Sequence, residues 1–256
     1  MGFEIFHPEG ISRHLIKYYW FLEENNSQNT LQQVIPEGNP RFLYYQEGSG
    51  KNNISGELQP DIFICGQKDA YSELEVSSDC KVFGIDFHPF ALGFFKGISA
   101  HELRGLEIQP NDLFADLRDR IIDLLNHPIS KIEKVKLMDQ LFSKIQNIDH
   151  YELKILTNVL REIEKPGTNK ISAIAKHFHL TERTLERKFL RYIGLPPKRY
   201  RRIKRFNLAF EHLKEYQGSL TEFAYDLGYY DQSHFIRDMK AFAGMTPKIL
   251  QKILNN

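Results

Sequence analysis

The sequence predicts an α+β chain: a β-rich N-terminal domain with a helical extension over residues 1–148, then an all-α C-terminal domain over residues 149–256. The second domain is expected to hold two helix-turn-helix units joined by a long helix. Three observations lead there. Short runs of β-branched and aromatic residues fill the first hundred positions, helical periodicity takes over near His88, and one two-helix pattern occurs twice towards the end.

The early runs are Lys17–Leu22, Arg41–Tyr45, Asp61–Cys65 and Lys81–Phe87, which read as strands. Between them, Pro36–Pro40 and Gly48–Asn53 read as turns or loops, because Pro presets φ and Gly admits positive φ. Residues 1–100 carry 16 of the 32 aromatic side chains, which could line a ligand cavity, although filling a β core is the simpler reading. Further on, Leu113, Leu117, Ile121 and Leu124 recur at helical spacing. Helical stretches follow from Lys131 to Gln146 and from Asp149 to Glu164, the second closed by Lys165-Pro166-Gly167.

The repeat decides the C-terminal architecture. Ile171, Ile174, Ala175 and Phe178 recur as Leu220, Phe223, Ala224 and Leu227, at an offset of 49. Leu185, Arg187, Phe189, Gly194, Pro197 and Lys198 recur as Phe235, Arg237, Met239, Gly244, Pro247 and Lys248, at an offset of 50, so the second turn holds one extra residue. Each unit is a short amphipathic helix, a turn and a second amphipathic helix stopped by Gly and Pro. Ser219 with Glu222 has the spacing of a capping box, and Thr181 before Glu182 suits an N-cap. From Glu182 to Ile193, Leu185, Phe189 and Tyr192 share the inward face, which turns Arg183, Glu186, Arg187 and Leu190 outward. A helix of this kind fits the DNA major groove, where base edges are distinguishable.

Between the units, Lys198 to Arg205 contains six basic residues in eight and should continue as a helix to about Tyr216. Its inner face is expected to be Tyr200, Ile203, Ala209 and Leu213, leaving Arg201, Arg202, Lys204 and Arg205 for phosphate contacts that set position without reading sequence. At 1.5 Å per residue such a rod spans roughly 28 Å, close to the roughly 34 Å between successive major-groove segments on one face of DNA.

Charge agrees with this division. Residues 1–148 hold 14 Lys/Arg against 21 Asp/Glu (−7) and residues 149–256 hold 20 against 12 (+8), which makes a polyanion a partner for the second half only. With 41% hydrophobic and 26% charged residues the composition excludes disordered and collagen-like classes, and no apolar run is long enough to span a membrane. The first residues lack a secretory pattern, so a cytoplasmic location is expected. Cys65 and Cys80 are too few for a disulfide framework and read as buried thiols. There is no phosphate-cradling Gly motif, metalloprotease motif or nucleophile elbow, so no catalytic residue, metal site or cofactor is expected. A thiol or metal enzyme would need Cys65, Cys80 and His88 brought together, and His177 and His179 read as surface or capping groups. A non-specific nucleic-acid or protein-interaction module is the other rival.

Residues 149–256 resemble the DNA-binding domain of the AraC/XylS family of bacterial transcription regulators. The carrying segments are Ile171–Ala175, Leu185–Phe189, Gly194–Tyr200, Phe223–Tyr229, Asp231–Arg237 and Gly244–Pro247. The resemblance implies base-facing roles for Arg183, Glu186 and Arg187 in the first unit and for Gln232, Ser233, His234 and Arg237 in the second. Met239 stands where that family usually has Phe, and Leu250-Gln251 replaces its usual aromatic-Arg ending. The N-terminal half is similar to the β-rich regulatory domain of one group of this family, at Tyr18–Trp20, Ile35–Gly38, Ile64–Gln67 and Phe83–Pro89. That similarity implies a small-molecule effector or dimerisation, with no ligand contact assignable. Expected partners are double-stranded DNA, and, as further candidates, an effector, RNA polymerase (as for an activator) and a second copy of the chain.

Overall fold

The protein is described by a computed structural model covering residues 2–95, 99–113, 116–145, 148–165 and 170–254. The strands are β1 (Gly2–Phe6), β2 (Ile16–Asn25), β3 (Thr30–Val34), β4 (Arg41–Glu47), β5 (Gly50–Asn52), β6 (Ile62–Cys65), β7 (Ser72–Val76), β8 (Asp79–Phe87) and β9 (Glu107–Ile108). A larger sheet has the order β1-β2-β8-β4-β6-β9 and a smaller one β3-β7-β5, with every pairing antiparallel. The four strand readings fall within β2, β4, β6 and β8, except that Asp61 lies one residue before β6. Gly48–Asn53 differs from expectation: its residues Gly50–Asn52 form β5, which pairs with β7. The remaining strands are short or half-exposed, so their residues lack a long apolar run.

Side chains alternate across the larger sheet. On one face Tyr19, Phe21, Phe42, Phe83, Ile85 and Phe87 join the main core. On the other, Trp20, Leu22, Leu43, Phe63 and Val82 meet Leu74 and Val76 of β7. Burial on both faces explains why the central strands read as almost continuous apolar runs.

The helices are α1 (Pro110–Leu113), α2 (Leu117–Asn126), α3 (Lys131–Ile145), α4 (His150–Glu164), α5 (Ile171–His177), α6 (Glu182–Tyr192), α7 (Pro197–Leu213), α8 (Leu220–Asp226), α9 (Gln232–Ala243) and α10 (Pro247–Leu254). Gln146, Pro166 and Gly167 lie outside the described residues. Helices α2 and α3 cover the first face of the sheet through Leu117, Ile121, Leu125, Met138 and Phe142. Asp139 of α3 is tied down as well, accepting from Tyr19 Oη (2.7 Å) and the Glu9 amide (2.8 Å). Buried side chains from β2 through α10 form one contiguous cluster, which crosses the expected boundary at residue 149.

The duplicated pattern folds as two similar units. Thr181 caps α6 by accepting from the Thr184 amide, and Ser219 caps α8 by accepting from the Glu222 amide. Gly194 and Gly244 end α6 and α9 with positive φ. Between the helices of each unit the chain passes through one left-handed residue, His179 (φ 55°) in the first and Gly228 (φ 75°) in the second. These positions are related by the repeat offset of 49. Helix α7 ends at Leu213, three residues before the expected Tyr216, and α10 is an element the sequence reading did not anticipate.

Candidate nucleic-acid interface

Helix α6 is positioned by its inner stripe: Leu185, Phe189 and Tyr192 are buried, with Ile174 and Ala175 of α5 in the same core. Arg183, Glu186 and Arg187 are thereby exposed together on the opposite side, while Leu190 is half-buried. Lys188 turns away to pair with Glu152 of α4. Among the described residues no carboxylate pairs with Arg183 or Arg187, so both guanidiniums are available to a ligand.

Helix α9 is held differently. Asp231 caps it by accepting from the His234 amide (2.6 Å), and Phe235, Met239 and Phe242 point inward. Ser233 and Arg237 are exposed and Gln232 is half-buried, with Arg237 Nε 3.4 Å from the Ser233 carbonyl oxygen. His234 is set apart from these three. Its Nε2 lies 3.3 Å from Arg205 and 3.9 Å from Asp238, and its ring meets Tyr229 edge-on. Desolvation holds its pKa below the ordinary 6.5, against the pull of Asp238.

Asp238 explains much of the linker's charge. It is fully buried in α9, and an ionised carboxylate there requires partners. Arg202 supplies two contacts to Oδ1 (Nε 3.1 Å, Nη2 2.6 Å) and Arg205 one to Oδ2 (3.3 Å). Arg205 also donates to the Gly228 carbonyl (2.9 Å) and lies 3.8 Å from the Tyr229 ring centre. Lys204 approaches Glu164 at 3.7 Å, and that carboxylate also accepts from the buried Tyr200 hydroxyl. Of the four basic side chains read as phosphate contacts, Arg202 and Arg205 thus clamp α7 onto α9 and Lys204 leans on α4. Arg201 is half-buried, its pKa lowered by desolvation and by Arg205. Asp238 is not singled out in the sequence reading above. Its place in the inward series Phe235, Asp238, Met239, Phe242 was the available signal that it is a structural anchor.

Two clefts are present, and the sequence reading raised a ligand cavity only as the lesser alternative for the N-terminal aromatic residues. One, of about 940 Å³, lies between the two sheets and is walled by Trp20, Leu22, Leu43, Phe63, Leu74 and Val82. At its edge Arg41 is paired with Asp86 (2.8 Å) and Glu37 (2.5 Å), and Asp86 also accepts from the Trp20 indole (2.8 Å). The second, of about 850 Å³, has the outer face of α6 as one wall and residues of the N-terminal half as the other. Cys65 and Cys80 are buried free thiols, both pushed up in pKa by desolvation. Among the described residues no helix is long and apolar enough to cross a membrane.

Residues 174–253 match the family model described as a helix-turn-helix domain, and residues 4–109 match one described as a domain of unknown function, DUF6597. The HTH-type transcriptional activator RhaS of Salmonella arizonae and that of Salmonella newport are each 40% identical over 63 residues, 25% of this chain. The matched stretch spans 23% of the length of these curated relatives. Among solved structures, ToxT from Vibrio cholerae bound to (E)-4-(8-methylnaphthalen-1-yl)but-3-enoic acid aligns over 92% of this chain and 99% of its own, at 13% identity and a TM-score of 0.47. An AraC-type regulator from Chromobacterium violaceum aligns over 39% of this chain and 88% of its own, at 24% identity and a TM-score of 0.34.

Proposed function

We propose, from the premise that the C-terminal region is a helix-turn-helix domain of the AraC type, that this chain is a sequence-specific DNA-binding transcription regulator. Its β-rich half is the controlling part. The observation that carries the reading is the duplicated unit, whose buried stripes turn Arg183, Glu186 and Arg187 of α6 and Gln232, Ser233 and Arg237 of α9 to the surface. Arginine donates in bidentate fashion to guanine O6 and N7, Gln pairs with adenine, and Glu accepts from cytosine N4, so both faces carry side chains able to discriminate bases. Helix α7 spans roughly 25 Å at 1.5 Å per residue, a rigid spacer for two reading heads on successive groove segments. In this reading the protein works by binding and catalyses no reaction, and it acts in the cytoplasm, where the DNA is.

The inter-sheet cleft supports effector control, since its volume falls in the range of roughly 300–1,000 Å³ typical of small-molecule sites and its walls are apolar with polar groups at the edge. An effector changes DNA affinity only by binding two arrangements of the protein unequally. RNA polymerase and a second copy of the chain are further partners consistent with an activator. Selection of duplexes from a random pool tests the reading: one recovered sequence should outcompete its scrambled version by at least about tenfold at physiological salt. Equal binding to both would leave only a non-specific module. Arg201→Ala should weaken all duplexes alike and lower the salt slope by about one.

A further inference from the structure

Arg205 of α7 is held from several sides. Its Nη1 donates to the Gly228 carbonyl (2.9 Å), its guanidinium lies 3.8 Å from the Tyr229 ring centre, and its Nη2 donates to Asp238 Oδ2 (3.3 Å). The same Nη2 lies 3.3 Å from His234 Nε2. A guanidinium nitrogen of this kind carries two hydrogens, one for each acceptor. Asp238 does not depend on Arg205 alone, because Arg202 supplies two donors to its Oδ1.

The chemistry of that contact fixes the state of the imidazole. Arginine has donors only and does not deprotonate in proteins, so His234 Nε2 must accept and carries a lone pair. The neutral ring then holds its single proton on Nδ1, since the hydrogen bond at one ring nitrogen sets the other. A second proton would turn an N–H toward a cation. The charged and titratable groups around the ring are Arg202 and Arg205 of α7, Asp231, Arg237 and Asp238 of α9, and Tyr229 of the turn. Burial and, after it, the three arginines keep the ring neutral against the pull of Asp238. His234 stands in the first turn of α9 beside Gln232 and Ser233, its amide held by Asp231 (2.6 Å) and its side chain 30% exposed. Among the described residues Nδ1 makes no hydrogen bond, which leaves its proton for a ligand. A histidine free to change tautomer can donate or accept, and tells bases apart poorly. One locked with its proton on Nδ1 only donates. In the major groove guanine presents two acceptors, O6 and N7, whereas cytosine presents the N4 donor.

We propose that Arg205 is a positioning residue that locks His234 as the Nδ1–H tautomer, and that His234 is a specificity-determining donor that takes guanine and rejects cytosine at one base pair under α9. A linker residue expected to touch phosphate thereby acts on sequence through the second recognition helix. The inference deepens the reading of α9 as a base-facing helix and rests on it.

The test uses the full chain. Nitrogen NMR of the histidine-labelled wild type above neutral pH reports the tautomer directly, and a protonated Nδ1 with an unprotonated Nε2 is expected at His234. Binding is then compared between a duplex recovered from the random pool and versions in which single base pairs are exchanged. His234→Ala should lose about tenfold discrimination between G·C and C·G at one position. Arg205→Gln should lose the same preference, and the double variant no more than either single one. Arg202→Gln loosens Asp238 without touching His234 and should leave that preference in place, which separates positioning from a merely structural role. An Nε2–H or doubly protonated ring in the wild type overturns the proposal. So do additive losses, an Arg205→Gln effect uniform over all duplexes, or a preference that Arg202→Gln removes equally. Should Arg205→Gln fail to fold, the wild-type tautomer and the His234→Ala comparison decide. If the wild type selects no duplex, the reading of α9 fails and the proposal with it; a wild type that selects a duplex while His234→Ala keeps every preference overturns the proposal alone.

Discussion

The two helix-turn-helix units have one sequence pattern and two different solutions to charge. In the first, the arginines of α6 have no carboxylate partners among the described residues, and the anchoring ion pair to α4 uses Lys188. In the second, the residue one repeat after Lys188 is Asp238, and the sign reversal moves the partners into α7, where Arg202 and Arg205 converge on it. The first unit therefore offers unneutralised guanidiniums on an exposed face that lines a cleft against the N-terminal half. The second offers an open face with fewer charges, because much of the basic linker is spent on holding it in place. A basic stretch in sequence is thus not equivalent to a basic surface.

Removing the anchor breaks the comparison most severely. Asp238→Ala leaves Arg202 and Arg205 facing a buried void, and urea unfolding should show a loss of about 3–5 kcal/mol, as for other broken buried pairs. Next in size is base reading. Arg187→Ala and Arg237→Ala should each lose about 1–3 kcal/mol at a single base pair, measured by titrating duplexes that differ at one position. A uniform loss over all sequences would reassign the residue to phosphate contact.

The turn residues sharpen the comparison further. Gly228 has open space around its missing Cβ, so Gly228→Ala tests backbone conformation alone and should cost about 1 kcal/mol in thermal or urea unfolding. His179 occupies the corresponding left-handed position in the first unit, and His179→Gly should be neutral or stabilising by up to about 1 kcal/mol. The smallest expected effect is on pH dependence. Burial lowers the pKa of His88 below the ordinary 6.5. The unfolded chain then binds the proton more readily, so stability is full above 6.5 and falls as pH drops through and below that value. His88→Asn should flatten this part of the stability–pH curve, and an unchanged curve would show that His88 is not the group responsible.

Local rules made the elements and the outward faces legible. Thr181 and Ser219 as caps, Gly194 and Gly244 as stops, and the apolar stripe of α6 each follow from interactions within a few residues, and each stands where the sequence placed it. So does the inner face of α7, where Tyr200, Ile203, Ala209 and Leu213 are all buried. The strands with long apolar runs were equally readable. The short strands β3, β5 and β7 were not, because their side chains alternate over half-exposed surface and their pairing depends on partners distant in the chain.

By itself, then, the sequence determined the two architectures, the repeat and the charged residues that α6 turns outward, because helical and strand periodicity together with capping are local. Only the tertiary structure decided which cations are free. Arg202 and Arg205 look identical to any other basic residue until Asp238 is buried between them, and α6 looks open until Gly93 and Ala100 are docked against its end. Those outcomes depend on which distant segments share a low-dielectric interior, where an unpaired charge is costly and a partner is chosen by proximity in space rather than by order along the chain.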